Sequence, residues 1–206
     1  MLTLYGCAGT GSACPQAILA YAGVEHRMVM LDVGAKEQHK PEYLQMNPRG
    51  QVPWLVTEQN EVITESLAIS LHLADTLPDA HLIGPIGTLE RANTYKWMSY
   101  LATNIYEGVL RSEYSDRYTT TDAAGVKAKA NIDMMQWWSI VDQALTSGKL
   151  LVGDRIGVAD IYMAMLTAWF EDRERLFTEC RRLKSAVDIV LSESAIHDVF
   201  VANELV

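Results

Sequence analysis

Residues 7–15, CAGTGSACP, place two thiols (Cys7, Cys14) and two hydroxyls (Thr10, Ser12) between an apolar strand-like run and a helical one. Such a loop can do cysteine chemistry, bind a metal, or position a group that comes from elsewhere. Cys7, Cys14 and Cys180 show no C-x-x-C spacing, and His26, His39, His72, His81 and His197 form no H-x-x-x-H pair or Cys/His cluster. Zinc is disfavoured on that count. A Cys7–Cys14 disulfide would be exposed to the reducing pool of a cytosol. What remains is a thiol or a hydroxyl at a helix start, in a first turn whose Pro15 lacks an amide hydrogen anyway.

Two further stretches carry recognition chemistry. In NPRGQVPWL, Pro53 removes a backbone donor at the start of an apolar strand. Either Pro53 is a trans residue at a sheet edge, or the Val52–Pro53 bond is cis and turns the Val52 amide and carbonyl outward to pair with a peptide ligand. In TES, residues 64–66, Ser66 is placed to cap a helix whose open amides suit an anion, and Glu65 suits an ammonium group. A ligand with a carboxylate and an amine on one carbon, plus an extended peptide portion, fits both stretches together.

The elements that must hold these residues follow from periodicity. MLTLYG alternates as a strand, and ACPQAILAYAG is a helix with Gly23 as its terminator. HRMVMLDV is a second strand and KPEYLQMN a short helix; VPWLVT and EVITES are strands around a turn, and SLAISLHLADTL is a third helix. The order βαβ, α, ββα predicts a small helix-covered sheet with two parallel and then two antiparallel pairings. LPDAHLIGP, residues 77–85, is a linker. Beyond it three long helical patterns run from Leu89 to Tyr114, from Ala123 to Thr146 and from Val158 to Leu176, so the second half is all-helical.

Composition sets the outer bounds. A chain of 206 residues, 49% hydrophobic, has ample material for a core in one large domain or two small ones. With a net charge of −9 it offers no basic face for nucleic acid. No signal-peptide pattern opens the sequence and no apolar run reaches the roughly 18 residues of a membrane span, which predicts a cytoplasmic protein without membrane partners.

On NPRGQVPWL, ITESLAISLHLAD and, in the helical half, LVGDRIGVADIYMAML, nearly the whole chain resembles a cytosolic glutathione transferase, most similar to bacterial beta-type members. The resemblance implies an α/β thioredoxin-like N-terminal domain, residues 1–78, and an all-α helical bundle, residues 86–206, that forms the second-substrate pocket. It implies a homodimer that binds glutathione as co-substrate, with no other cofactor. The Val52 backbone before a cis Pro53 would pair with the cysteinyl part, Glu65 and Ser66 would hold the γ-glutamyl end, and Gln51 and Lys36 would lie nearby. In GDRIGVADIYM the family's usual Ser or Thr cap is replaced by Gly157; Asp160 can still bond back to the open amides, and Ile156 with Ile161 has the spacing of a hydrophobic staple.

Two departures bear on mechanism. Beta-type members carry G-S-C-S-x-x-P in the first loop; here Gly9, Thr10, Ser12 and Pro15 match, and the cysteine position is Gly11. Tyr106 and Glu107 stand where those relatives place His and Lys. Hydroxyl chemistry is the expectation that remains, with Ser12 as first choice, Thr10 second, and Tyr5 and Tyr106 behind them. A thiol of pKa about 8.5 must fall by about 2 units, roughly 2.7 kcal/mol, for its thiolate to dominate at pH 7. A charged hydrogen bond of about 1.5–3 kcal/mol and a dipole contribution below about 1 kcal/mol suffice together. Cys14 is the rival, because first-turn thiols are acidified, although its place two residues after Ser12 points it at the core.

The expected reaction is attack of the glutathione thiolate on a small apolar electrophile, with Tyr106, Leu110 and Trp169 as second-substrate contacts. A glutathione-dependent reductase of small disulfides or peroxides uses the same thiolate. A non-catalytic glutathione-binding or protein-interaction subunit is the alternative from another class.

Overall fold

The computed structural model describes residues 1–145 and 150–206. Its chain divides into two compact units, Met1–Ile83 together with Leu191–Val206, and Gly84–Val190. The sequence reading assigned residues 191–206 to the helical half.

In the first unit four strands, β1 (Leu2–Gly6), β2 (His26–Met30), β3 (Trp54–Val56) and β4 (Val62–Thr64), form one sheet in the order β2-β1-β3-β4. Four strands in an open sheet make three pairings, and here β1 and β2 run parallel while β1–β3 and β3–β4 are antiparallel. The expected pair of parallel contacts is therefore one, because β2 sits at the sheet edge. Leu4 faces Leu55 across the two central strands, and both are fully buried. On the same two strands Tyr5 stacks on Trp54 at 4.7 Å between ring centroids, with Tyr43 set edge-on to Tyr5.

Helix α1 (Ala13–Tyr21) buries Ala13, Cys14, Ala17 and Ile18, the positions its helical spacing brings to one face. Gly23 ends it in the left-handed region, with the Gly23 and Val24 amides bonded back to Ala20 and Leu19 in a Schellman turn. A short helix α2 (Pro41–Met46) begins with Pro41 in its first turn, and α3 (Ser66–Thr76) buries Ile69, Ser70 and Leu73. Cys14 lies between α1 and α3, where Ser70 Oγ donates to its Sγ at 3.5 Å.

The second unit is helical. The predicted helix over 89–114 is α4 (Leu89–Tyr100) and α5 (Glu107–Glu113), joined by a wide π-helical stretch, Leu101–Tyr106. Helix α6 (Ala123–Ala144) opens on Asp122, whose carboxylate accepts from the Gly125 amide at 2.8 Å. The expected end of that helix at Thr146 lies outside the described residues. Every residue of α7 (Val158–Thr167) is buried, as suits a helix apolar all round at the centre of a bundle. The predicted continuation to Leu176 breaks at Ala168, and α8 (Arg173–Glu179) restarts on Asp172, whose side chain accepts from the Arg175 amide. Helix α9 (Arg181–Leu191) follows, and α10 (Ser194–Ala202) packs on α1 in the first unit.

Asp160 ties the start of α7 together. One carboxylate oxygen accepts from the Leu151 amide at 2.8 Å and the other from the Gly157 amide at 2.9 Å. Glycine at the cap has no side chain to satisfy the open amides, and the carboxylate three residues on reaches back to the cap's own amide instead. Ile156 and Ile161 are both buried, at the spacing of the expected staple. Among the described residues no helix is long and apolar enough to cross a membrane.

Candidate active site

The loop from Cys7 to Ser12 is organised by its own hydroxyls. Thr10 Oγ1 donates to the Cys7 carbonyl at 2.7 Å, and Ser12 Oγ donates to the same carbonyl at 3.0 Å. The two hydroxyl oxygens lie 3.0 Å apart, and Ser12 Oγ also accepts from the Cys7 amide at 3.2 Å. Ser12 occupies the cap position of α1 but makes no side-chain bond to that helix. Its hydroxyl is committed to the Cys7 backbone instead, and a Cβ at Gly6 would fall 2.3 Å from Ser12 Cβ, so the end of β1 packs directly on the serine. As a result Ser12 is 0% exposed, whereas Thr10 is half-buried. Gly11 is buried and Gly9 exposed.

The three cysteines differ in the same way. Cys14 is fully buried, and desolvation pushes its thiol up to about 12 against the smaller opposing effect of the Ser70 hydrogen bond. Burial likewise pushes Cys180 up to about 11. Cys7, at the end of β1, is half-buried. Among the described residues no group of His, Cys, Asp and Glu is placed to hold a metal ion.

The second stretch is built on a turn. Asn47, almost fully buried, accepts from the Arg49 amide at 3.2 Å and donates to the Gln51 carbonyl at 2.7 Å, which folds NPRGQ back on itself. The Val52–Pro53 bond that follows is cis. Val52 is half-buried and Gln51 exposed; Lys36 is exposed and takes a left-handed backbone in the loop after β2. The third stretch joins this one through a side chain. Arg49 Nη1 lies 3.1 Å from Glu65 Oε1. Glu65 stands at the cap position of α3 with φ of 68° and no side-chain capping bond; Ser66 is the first helical residue and is nearly buried. A non-glycine residue in that region is held there by its surroundings, and such residues cluster at ligand sites.

The Tyr5 ring is stacked on Trp54. In the helical unit Tyr106 closes the π-helical stretch and meets Trp169 edge-to-face at 5.2 Å and Tyr162 in a stack at 6.4 Å. Tyr106, Leu110 and Trp169 are all half-buried. Sequence reasoning missed Gly6, Asn47, Arg49 and Asn203. The turn composition NPRG signals Asn47 and Arg49. No local pattern signals Asn203, whose carbonyl accepts from the Gly9 amide at 3.0 Å across nearly the whole chain.

Comparison with known proteins agrees with this geometry. The family model for the glutathione S-transferase N-terminal domain matches residues 1–75. Glutathione S-transferase GstA of Escherichia coli O157:H7 is 29% identical over 165 residues, 78% of this chain and 78% of that protein. Among solved structures, a glutathione transferase from Methylococcus capsulatus superposes with a TM-score of 0.86 at 26% identity over the full length of both chains. A glutathione transferase homologue from Sulfitobacter, solved with bound glutathione, superposes with a TM-score of 0.89 at 24% identity over 98% of each. These relatives support a glutathione transferase function. Residues 1–75 thus match the glutathione S-transferase N-terminal domain, in a chain whose fold is that of the glutathione transferases.

Proposed function

We propose that this chain catalyses attack of the glutathione thiolate on a small apolar electrophile, with Thr10 as the hydroxyl that steadies the sulfur. The observation that carries this assignment is the contrast between the two hydroxyls. Ser12 is sealed beneath Gly6, while Thr10 is half-buried in the same network. When the Thr10 O–H turns to a thiolate, the Cys7 carbonyl keeps the Ser12 O–H as its donor, so no buried acceptor is orphaned. Ser12 then acts as a positioning residue. Thiolate stabilisation and proximity carry the rate; the thiol proton leaves to solvent, and sulfur forms the new bond as the electrophile's leaving group departs or its anion is protonated.

Glutathione is held in this reading by the Val52 backbone, Glu65 and Ser66, with Gln51 and Lys36 at its periphery. Arg49 joins them by fixing the Glu65 carboxylate. Tyr106, Leu110 and Trp169 are the proposed contacts of the electrophile, supported by the half-buried Tyr106–Trp169 pair. The working unit is proposed to be a homodimer in the cytoplasm, where three unpaired cysteines are at home.

A thiolate absorbance titration of bound glutathione tests the assignment. Thr10→Ala should raise the thiol pKa by about a unit or more and cut turnover at neutral pH, with recovery in alkali and little change in affinity. An unchanged pKa in Thr10→Ala removes the assignment. In a second reading the same thiolate attacks a small disulfide or hydroperoxide and displaces a thiolate or hydroxide, and a second glutathione completes the two-electron reduction as glutathione disulfide forms. Turnover against an aryl halide, an epoxide, a small disulfide and a hydroperoxide separates the two. Binding without turnover on any of them is the outcome expected of a non-catalytic subunit.

A further inference from the structure

Asn203 follows the last residue of α10 and is 1% exposed. Its side-chain amide donates to Gln16 Oε1 in α1 at 2.9 Å and to the Val199 carbonyl at 2.8 Å. The Val199 carbonyl can only accept, which fixes the nitrogen, and among the described residues the buried Asn203 Oδ1 has no hydrogen-bond partner. An orphaned buried acceptor is destabilising, so an apolar side chain would serve stability at this place better than an amide. What the amide achieves is a tie between the end of α10 and α1.

The tie matters because of where the Asn203 carbonyl goes. The helix ends in a Schellman turn in which the Glu204 and Leu205 amides bond to the carbonyls of Val201 and Phe200. The carbonyl of Asn203 itself accepts from the Gly9 amide at 3.0 Å. Gly9 immediately precedes Thr10, and Gln16 lies one helical turn beyond Ser12. Asn203 thus grips the hydroxyl loop from both of its ends, by main chain before Thr10 and by side chain after Ser12.

We propose that Asn203 is a positioning residue for the glutathione sulfur, holding Gly9–Ser12 against the first turns of α1 so that the Thr10 hydroxyl keeps its aim. The proposal rests on the assignment of Thr10 as thiolate donor. Loss of the amide frees the end of α10 from α1, and the carbonyl that restrains Gly9 moves with it. The glutathione anchors at Val52, Glu65 and Ser66 lie on other elements and are untouched.

The test uses the whole chain with glutathione bound, as wild type, Asn203→Ala, Gln16→Ala and the double variant. In each, the thiol pKa is read by thiolate absorbance and the pH profile of kcat/KM is measured, with glutathione affinity alongside. The pKa should rise by about half a unit to one unit from a value near 6.5, which lowers kcat/KM roughly 1.5- to threefold at pH 7, recovering in alkali, while Kd stays within about twofold. The double variant should match Asn203→Ala, since Gln16→Ala removes only a hydrogen bond that Asn203→Ala already removes. Gln16 is half-buried and its substitution leaves the packing of α10 intact, so it decides the matter if Asn203→Ala fails to fold. An unchanged thiol pKa in Gln16→Ala, or a loss of turnover that alkali does not restore, overturns the inference. A wild-type chain that binds glutathione without lowering its thiol pKa overturns the thiolate reading itself, and this inference with it.

Discussion

Gly6 decides which hydroxyl of the first loop meets solvent. Gly6→Ala should push Ser12 out of place and lower stability by about 1–3 kcal/mol, the usual range for overpacking, as a urea titration would show. The thiols obey the same rule of burial. Iodoacetamide on the native chain at pH 8 should label Cys7 and leave Cys14 and Cys180 unmodified, because their thiols are pushed up to about 12 and about 11. Rapid labelling of Cys14 in the folded protein, read by peptide mass spectrometry, would contradict its place in the core. Both hydroxyls and both loop thiols are legible in CAGTGSACP as types at a spacing. Their exposure is not, since it is set by the approach of β1 to Ser12, a contact that residue type alone does not encode. The preference for Ser12 over Thr10 followed from spacing; the reversal proposed here follows from that contact.

At the scale of elements, two helix ends carry predictions. Glu204 takes the left-handed place at the end of α10 that Gly23 takes after α1, with φ of 59°. Glu204→Gly should therefore stabilise the chain by up to about 1 kcal/mol, seen as a raised thermal midpoint. Asp160, held by two amides at the start of α7, is pushed up to about 6 by burial against the opposing pull of those bonds. A carboxyl raised in the folded state contributes stability fully present below its unfolded value near 4 and lost as pH rises through about 6. Relative to Asp160→Asn, the wild type should lose up to about 3 kcal/mol between pH 4 and 7, read as the difference between two stability-against-pH curves. A flat difference curve would mean that Asp160 ionises freely in the fold. The strands, α1, α3 and the Asp160 cap were legible from periodicity and cap spacing. The π-helical stretch at Leu101–Tyr106 and the break after Thr167 were not, because helical spacing persists through the first and the charged run Glu171–Arg175 reads equally as the exposed face of a continuing helix.

For the whole molecule, the resemblance supplied what periodicity could not, namely that a small mixed sheet and a helical bundle belong to one glutathione-binding architecture. The proposed homodimer gives a direct expectation: light scattering at micromolar concentration should return twice the 23.0 kDa chain mass. A mass near that of one chain would remove the dimer from the proposal. On the single chain Ile86 is 88% and Leu89 78% exposed. The bond between Gly9 and Asn203 also imposes a schedule on synthesis. A ribosome adding about 5–20 residues each second reaches residue 203 some 10–40 s after it has made the hydroxyl loop. Through that interval the loop has its own hydroxyls but not its outer brace, so a nascent chain can possess the sheet and α1 well before it possesses a finished site. Competence arrives with α10 rather than with α1.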